Sequence, residues 1–188
     1  DFASPGVVPR YAPDLGLEPV HMDLSVRLDA GRKAVEGEVT LTVLVREPGA
    51  TLRLDAIDFD HVDVSEPDGG DLDWHYDGEG IDIAWTSPTE AGERRRITVR
   101  WRVRDPMTGM IFDADGRWMA TDHETERARY WLPCVDHPNV RTTLAITIRA
   151  PEAMTALANG ALVDEEAHDD GTKTTRWKLD FPCPSYLL

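Results

Sequence analysis

The stretch RITVRWRVR, residues 96–104, alternates apolar and charged side chains and decides the fold class. Its apolar side chains are Ile97, Val99, Trp101 and Val103, and its arginines are Arg96, Arg100, Arg102 and Arg104. Successive side chains of a β-strand point to opposite faces, so a period of two predicts a half-buried strand. The arginines are then expected in solvent on the outer face, among the many carboxylates of the chain, rather than in a binding patch.

The same period of two recurs in other stretches of the chain. Their predicted buried faces are Met22, Leu24, Val26 and Leu28; Val39, Leu41, Val43 and Val45; Ile81, Ile83 and Trp85; Leu144, Ile146 and Ile148; and Thr175, Trp177, Leu179 and Phe181. Shorter candidate strands are residues 51–56, 61–66 and 72–77, and turn residues separate the stretches. The pattern predicts an all-β domain, a mostly antiparallel β-sandwich or large twisted sheet with little helix.

Helical periodicity is not sustained anywhere in the sequence. Only residues 121–130 predict a short helical turn, with Thr121 or Asp122 as N-cap and Glu124 in the first turn.

Composition and charge limit the classes of protein and partner. The chain has 188 residues, of which 41% are hydrophobic, enough for one well-packed core. Its net charge of −15 would repel nucleic acid and an anionic membrane, so neither is an expected partner. No apolar run approaches the roughly 20 residues of a membrane helix, and no secretory signal is visible, which together predict a cytoplasmic protein. Cys134 and Cys183 are interpreted as free buried thiols, with a single disulfide bridge as the alternative.

The stretch TDHETERAR, residues 121–129, is close to a zinc-protease motif but lacks one ligand. An H-E-x-x-H helix places two imidazoles on one face, and the Glu between them activates a water molecule. Arg127 occupies the position of the second His, and a guanidinium cannot bind zinc. As a zinc motif of this kind, the stretch is therefore broken.

Two other interpretations of the same region remain as alternatives: a zinc site of a different kind and a catalytic thiolate pair. A zinc site of another kind would take its ligands from His123, Cys134, Asp136 and His137. Pro133 and Pro138 bracket most of these residues in a loop, and their spacing matches no familiar zinc motif. A thiolate pair of Cys134 with His137 is the second alternative, against a buried structural thiol as the default.

A set of motifs between residues 109 and 141 carries a resemblance to a known family. In order, they are Gly109, Met110 and Ile111; TDHE at 121–124; Ala128 and Arg129; PCVDHP at 133–138; and Arg141 at the start of a strand. Further matches are ANGAL at 158–162, CPSYLL at 183–188 and the strands at 21–29 and 35–45. At these positions the chain resembles the N-terminal domain of aminopeptidase N-type zinc metallopeptidases, the gluzincins, in which the motif matched by TDHE reads T-Q-x-E.

The resemblance implies one saddle-like β-domain over residues 1–188, with residues 1–18 as an extended lead-in and residues 109–141 near the active site. It implies that a thermolysin-like catalytic domain follows and holds the zinc, its ligands and the catalytic residues. On this basis zinc is a cofactor of the full-length protein only. No catalytic residue and no metal ligand are expected in this chain. The expected partners are the C-terminal catalytic domain and the N-terminus of a peptide.

The resemblance also implies a role for two acidic residues. In the family, the Gln and Glu of T-Q-x-E hold the free N-terminal ammonium of the substrate, and Glu124 matches that Glu. Asp122 stands at the Gln position, where it is shorter by one methylene and adds a charge. The alternative roles for Glu124 are a carboxylate at a helix N-terminus or a partner of Arg127. His123 is interpreted as an incidental spacer.

Other expectations concern the surroundings of these residues. Arg129 and Asp136 are expected to form a structural ion pair, and apolar surface is expected to be contiguous near Glu124 and residue 188. Two functions compete with an enzyme domain. One is a scaffold in a relative that has lost catalysis, which the departure at Asp122 favours. The other is a free-standing sandwich that binds carbohydrate or protein through tryptophans, although core packing is expected for Trp85, Trp101 and Trp177 and leaves Trp74, Trp118 and Trp131 unassigned.

Overall fold

The computed structural model describes residues 13–188, and residues 1–12, most of the predicted lead-in of residues 1–18, lie outside the described part. The strands are β1 (Leu17–Asp29), β2 (Ala34–Val45), β3 (Leu52–Asp55), β4 (His61–Ser65), β5 (Leu72–Tyr76), β6 (Gly80–Trp85), β7 (Arg94–Arg104), β8 (Met110–Phe112), β9 (Met119–Thr121), β10 (Arg141–Pro151), β11 (Ala161–Ala167) and β12 (Thr172–Pro184). Within residues 13–188 the helical elements are two 3₁₀ turns, Ala128–Tyr130 and Ser185–Leu187, and none is long enough to cross a membrane.

The strands form one large sheet and two smaller ones. The large sheet has seven strands in the order β11-β12-β10-β1-β2-β7-β4. Its neighbours are antiparallel except for β1 and β10, which run parallel. Strands β3, β6 and β5 form a second antiparallel sheet, and β8 pairs with β9. The predicted class, a mostly antiparallel all-β domain with little helix, is confirmed.

A single hydrophobic core joins the two larger sheets. Leu41 of β2 and Ile97 of β7 belong to the same buried cluster as Leu54 of β3 and Ile81 of β6. The buried side chains that the alternation predicted are Met22, Leu24, Val26, Val39, Leu41, Val43, Val45, Ile81, Ile83, Trp85, Ile97, Val99, Trp101, Val103, Leu144, Ile146 and Ile148. Full burial of such a side chain contributes roughly 1.5–3 kcal/mol, so this cluster holds the sandwich together.

The outer face of β7 carries its arginines into solvent, as the alternation predicts. Arg100 pairs with Glu38 at 2.6 Å, and Arg104 pairs with Asp60 at 3.2 Å. Exposed pairs of this kind contribute about 0–1 kcal/mol each. Arg100 and Arg104 therefore lie in ion pairs on a solvated face rather than in a basic patch.

The prediction for the end of β12 is wrong at Phe181, which is 77% exposed. Thr142 of β10 pairs with Cys183, whereas Leu144 pairs with Leu179. Residues 180–182 therefore face only one residue of β10, and the extra length forms a bulge. A bulge interrupts the alternation of side chains, so Phe181 leaves the face on which Leu179 lies.

The positions of all three tryptophans for which core packing is predicted agree with it. Trp85 and Trp101 are buried, and Trp177 is half-buried against the core. Among the three unassigned tryptophans, Trp131 is buried, Trp74 is half-buried and Trp118 is 50% exposed.

The ring of Trp101 depends on a glycine in the neighbouring strand. Gly37 of β2 is the cross-strand partner of Trp101, and the indole covers the space that a side chain at position 37 would need. A Cβ atom at Gly37 would lie 2.6 Å from Cη2 of Trp101. That separation is far below van der Waals contact, so the sequence needs glycine here for packing.

We expect Gly37→Ala to destabilise the domain by about 1–3 kcal/mol, because the added methyl group overpacks the core against Trp101. Urea denaturation of this chain measures the change. Gly31→Ala is the matched control, since a Cβ at Gly31 meets only the Oδ1 of Asp29 at 3.6 Å. Equal effects of the two substitutions would contradict the packing role of Gly37.

Candidate functional site

A cavity of about 560 Å³ opens beside residues 122–124. Its lining includes the core-facing side chains of the parallel strands, Leu24 and Val26 from β1 and Ile146 and Ile148 from β10. The remaining lining residues are Leu28, Met110, Met119, Ala120, Thr121, Asp122, His123, Glu124, Trp131, Leu157, Ala158, Asn159, Tyr186, Leu187 and Leu188. The parallel pair thus forms an apolar wall, and the residues of the TDHE motif lie beside it.

Apolar surface near Glu124 is contiguous, as expected from the sequence. Leu157, Tyr186 and Leu187 are 76%, 39% and 51% exposed, and all three line the same cavity as Glu124. A second cavity of about 300 Å³ shares Leu157 with the first and extends to Trp118. Exposed apolar surface of this extent is characteristic of a region that packs against another domain or ligand.

His123 is a buried, hydrogen-bonded residue and not the incidental spacer that the sequence suggests. It is 1% exposed, and its Nε2 lies 2.7 Å from Nε1 of Trp131. An indole N–H can only donate, so this Nε2 is the acceptor and the imidazole is neutral. The proton is then on Nδ1, which donates to the carbonyl oxygen of Ser185 at 3.2 Å. The desolvation that comes with burial lowers the pKa of His123, which favours the same neutral form.

The hydrogen bonds of His123 continue at both ends. On one side, the carbonyl oxygen of Trp131 accepts a bond of 2.7 Å from Nε1 of Trp101 in the core. On the other side, the hydroxyl of Ser185 donates to Oδ1 of Asp136 at 2.6 Å. The result is a continuous buried chain from β7 through the TDHE motif to the Ser185–Leu187 turn.

Arg129 forms the ion pair with Asp136 that the sequence predicts, within a larger network. Its Nε and backbone N–H both donate to Oδ2 of Asp136, at 3.2 and 3.1 Å. Its two terminal nitrogens lie 3.1 Å from carboxylate oxygens of Asp55 and Glu126. Burial raises the pKa of Asp55, although bonds from Asp136 and Arg129 act against this. The network fixes the PCVDHP loop against β3.

In the structure, the residues named in the zinc and thiolate alternatives have other partners or surroundings. Both ring nitrogens of His123 and both carboxylate oxygens of Asp136 are already in hydrogen bonds within the protein. Residues 13–188 contain no group of three or more His, Cys, Asp or Glu side chains placed to hold a metal ion. Burial raises the pKa of the Cys134 thiol well above its usual value, which disfavours the thiolate. Cys134 and Cys183 are free and buried, so the predicted free thiols are confirmed.

Asp122 and Glu124 flank His123 in the sequence but differ in their contacts. Asp122 accepts a bond of 3.1 Å from Nη1 of Arg127, and its backbone N–H donates to the carbonyl of Gly109. Glu124 is exposed and makes no hydrogen bond or ion pair with any residue of 13–188. Thus the partner of Arg127 is Asp122, which contradicts one alternative for Glu124.

The predicted helical turn at residues 121–130 is shorter than expected. Thr121 ends strand β9, and the 3₁₀ turn covers only Ala128–Tyr130. Its N-cap is Arg127, without a side-chain cap bond, and its first turn contains no acidic residue. Glu124 is therefore not a helix N-terminal carboxylate, which contradicts the second alternative for it.

Gly109 packs against the carbonyl of Arg127, and the last two backbone carbonyls of the chain accept hydrogen bonds from side chains that line the cavity. Gly109 has φ +83°, and a Cβ there would lie 2.2 Å from the carbonyl oxygen of Arg127, so a side chain is excluded. The hydroxyl of Thr121 donates to the carbonyl of Leu188, and Nδ2 of Asn159 donates to that of Leu187, both at 2.8 Å.

A comparison with protein-family models identifies the family of this domain. The model described as the Peptidase M1 N-terminal domain matches residues 18–187. The chain belongs to this family. The family is that of the N-terminal domains of zinc aminopeptidases, so the resemblance carried by residues 109–141 is confirmed.

Relatives of this M1 N-terminal domain are longer proteins. Glutamyl aminopeptidase of Homo sapiens is 39% identical over 70 residues, which cover 37% of this chain and 7% of that protein. Leukotriene A-4 hydrolase of Xenopus laevis is 25% identical over 190 residues, which cover 89% of this chain and 30% of that protein. The M1 zinc metallopeptidase from Deinococcus radiodurans shares the fold, with a TM-score of 0.78 and 24% identity over 91% of this chain and 40% of that chain. This domain therefore spans less than half the length of each of them.

We expect Ser185→Ala to destabilise the M1 N-terminal domain by about 1–3 kcal/mol, because it leaves Oδ1 of the buried Asp136 without its donor. Urea denaturation measures the change. Ser25→Ala is the control, since Ser25 is exposed on β1 and its hydroxyl makes no hydrogen bond to a described residue. Its effect should stay within about 0.5 kcal/mol. A cost no larger for Ser185→Ala than for this control would contradict the hydrogen-bonded chain.

The lowered pKa of His123 predicts a pH dependence of stability. In the unfolded chain a His titrates near pH 6.5, so below that pH the unfolded state binds more protons than the folded state. Stability is therefore complete above about pH 6.5 and falls as the pH decreases, by at most about 1.4 kcal/mol per unit, until the folded-state pKa is reached. His123→Gln should remove this slope. Urea unfolding of both proteins between pH 5 and 8 measures it, and parallel profiles would contradict the assignment.

Proposed function

We propose that this chain is the N-terminal domain of a zinc-dependent aminopeptidase, in which Glu124 helps to bind the free N-terminal ammonium of a peptide substrate. The observation that carries the proposal is the state of Glu124. Its carboxylate is exposed beside the apolar cavity and unpaired within residues 13–188. Two structural roles were considered for Glu124. Asp122 is the partner of Arg127, and the 3₁₀ turn has no acidic residue in its first turn, so Glu124 has neither role.

The chemistry of an ammonium site suits this environment. A carboxylate binds an ammonium group through charge-assisted hydrogen bonds, which are about twice as strong as neutral ones. The neighbouring apolar surface, once packed against a second domain, would exclude water and lower the local dielectric constant, which strengthens the attraction further. A site that favours a charged chain end selects the first residue of a peptide, and this selection is characteristic of an aminopeptidase.

Asp122 is proposed as the weaker member of the pair. Its carboxylate lines the same cavity, but Arg127 at 3.1 Å neutralises part of its charge. An incoming ammonium would compete with this guanidinium for Asp122 and not for Glu124. We therefore assign the main contact to Glu124 and a supporting contact to Asp122.

The remaining parts of the enzyme are proposed to lie in a following domain. Residues 13–188 contain no group of three or more His, Cys, Asp or Glu side chains placed to hold a metal ion, and we propose that the catalytic zinc and its ligands lie in a C-terminal catalytic domain. The exposed apolar side chains of Leu157, Tyr186 and Leu187 are proposed to pack against that domain. A neighbour with a TM-score of 0.79 is described as a two-domain M1 zinc metallopeptidase, which supports this arrangement.

A non-catalytic scaffold is the second candidate function. It is favoured by Asp122, which departs from the Gln of the family motif and is engaged by Arg127. The coding sequence after residue 188 distinguishes the two functions, because an active enzyme requires H-E-x-x-H and a distal Glu as zinc ligands.

We expect Glu124→Gln in the full-length, zinc-loaded protein to lower kcat/KM for aminoacyl-arylamides by roughly ten- to a hundredfold. A hydrogen bond to a charged group contributes about 1.5–3 kcal/mol, and each 1.4 kcal/mol corresponds to a factor of ten. The loss should be much smaller for N-acetylated substrates, which carry no ammonium. Steady-state kinetics on both substrate types measures the difference.

Glu90→Gln is the matched control for this experiment, since Glu90 is an exposed glutamate outside the cavity. It should leave kcat/KM unchanged. An active enzyme that is unaffected by Glu124→Gln would refute the anchoring role. An intact, zinc-loaded protein without hydrolytic activity would favour the scaffold.

A further inference from the structure

Glu124 is held in place only by its neighbours. Its own side chain has no contact that fixes it within residues 13–188, so its position depends on the backbone at either side. On the N-terminal side lies His123, whose carbonyl oxygen accepts a bond of 3.0 Å from the backbone N–H of Arg127. This bond closes the turn of residues 123–127 that carries Glu124.

His123 anchors that turn at three points. Besides the carbonyl, Nε2 accepts from Trp131 at 2.7 Å and Nδ1 donates to the carbonyl of Ser185 at 3.2 Å. The Trp131 ring also contacts the imidazole, with ring centroids 5.7 Å apart. A buried imidazole with both nitrogens engaged has one orientation, so it fixes the backbone from which Glu124 extends.

The hydrogen bond from Nδ1 of His123 links the turn that carries Glu124 to a second part of the site. Ser185 belongs to the last turn of the chain, and the neighbouring residues Tyr186 and Leu187 line the cavity. His123 therefore connects the turn that carries Glu124 directly to the segment proposed to lead into the catalytic domain.

We propose that His123 is a positioning residue: its neutral imidazole couples the Glu124 turn to the Ser185–Leu187 segment and so sets the place of the Glu124 carboxylate relative to the catalytic domain. This inference rests on the proposed function of Glu124 as the ammonium anchor. Its consequence is that hydrogen bonds distant from the substrate control the strength of substrate binding. A displacement of about 1 Å in such a site can cost on the order of a hundredfold in rate.

Two substitutions of His123 separate its two ring contacts. His123→Asn retains a donor near the position of Nδ1, for Ser185, and loses the acceptor for Trp131. His123→Gln retains an acceptor near the position of Nε2, for Trp131, and loses the donor to Ser185. Trp131→Phe removes the indole donor without touching His123 and keeps a large ring in the core, so it serves if a His123 variant fails to fold.

The experiment is a double-mutant cycle in the full-length, zinc-loaded protein. We measure kcat and KM for an aminoacyl-arylamide and for its N-acetylated form in wild type, His123→Gln, Glu124→Gln and the double variant. His123→Gln should lower kcat/KM for the free-amine substrate about ten- to thirtyfold and raise KM more than it lowers kcat. In the Glu124→Gln background it should cost less than about threefold, because the carboxylate that it positions is gone.

The conservative variant provides a rescue test. His123→Asn keeps the hydrogen bond to Ser185 and should therefore lose less activity than His123→Gln. It also loses the bond from Trp131, which can lower its stability. Thermal unfolding of each variant reports stability separately. A purely structural role would lower activity in proportion to the folded fraction and equally for both substrates.

The outcomes distinguish this inference from the proposed function. No effect of Glu124→Gln overturns both. A loss with Glu124→Gln combined with unchanged kinetics for His123→Gln, or with additive losses in the cycle, overturns the positioning role alone. Non-additive losses confined to the free-amine substrate support both. If neither His123 variant folds, the same cycle with Trp131→Phe gives the same decision.

Discussion

The candidate site depends on a chain of buried hydrogen bonds that begins in the core, passes through the last turn of the domain and ends at Arg129. Each link joins a different element of the fold, so the turn that carries Glu124 is fixed to the large sheet and to the end of the chain at once. The links run through Trp101, Trp131, His123, Ser185, Asp136 and Arg129. Such groups are costly to bury alone, and their mutual satisfaction makes the arrangement unique.

This constraint explains how the segment between β9 and β10 packs into the core, although its one described helical element is the 3₁₀ turn Ala128–Tyr130. A loop normally lies on the surface because its backbone groups need water. Here Cys134 exchanges backbone bonds with Asp55 of β3, and the side chain of Asp55 also accepts from the backbone N–H of Asp136. Leu132 and Cys134 can then be buried, and the loop becomes an integral part of the core.

The sequence predicts the fold well where side-chain alternation is uninterrupted, and fails where pairing changes it. Alternation in one strand carries the information for its own faces, which is why Ile97 and Leu144 are predicted correctly. Phe181 is misplaced because the bulge depends on how β12 pairs with β10, and pairing is not encoded in the strand alone. The same limit applies to β1, where a register shift between Pro19 and His21 moves the buried side chains from odd to even positions.

The sequence also identifies the surroundings of the site better than its internal structure. The ion pair of Arg129 with Asp136 follows from motif spacing, since its members are close in sequence. His123 is missed because Ser185 is 62 residues away, a separation that no local pattern reveals. A signal was available in Trp131, because an indole that is to be buried needs an acceptor for its N–H.

The division of roles that we propose between His123 and Glu124 follows from the physics of charge in proteins. A carboxylate that binds a cation must keep access to its ligand, so it cannot be held by ion pairs of its own without losing affinity. Asp122 illustrates this cost, since Arg127 already occupies its charge. A neutral imidazole can be buried without leaving an uncompensated charge, and its two ring nitrogens can hold the backbone through hydrogen bonds. Adjacent residues can therefore combine a free charge with a fixed position, which neither residue could achieve alone.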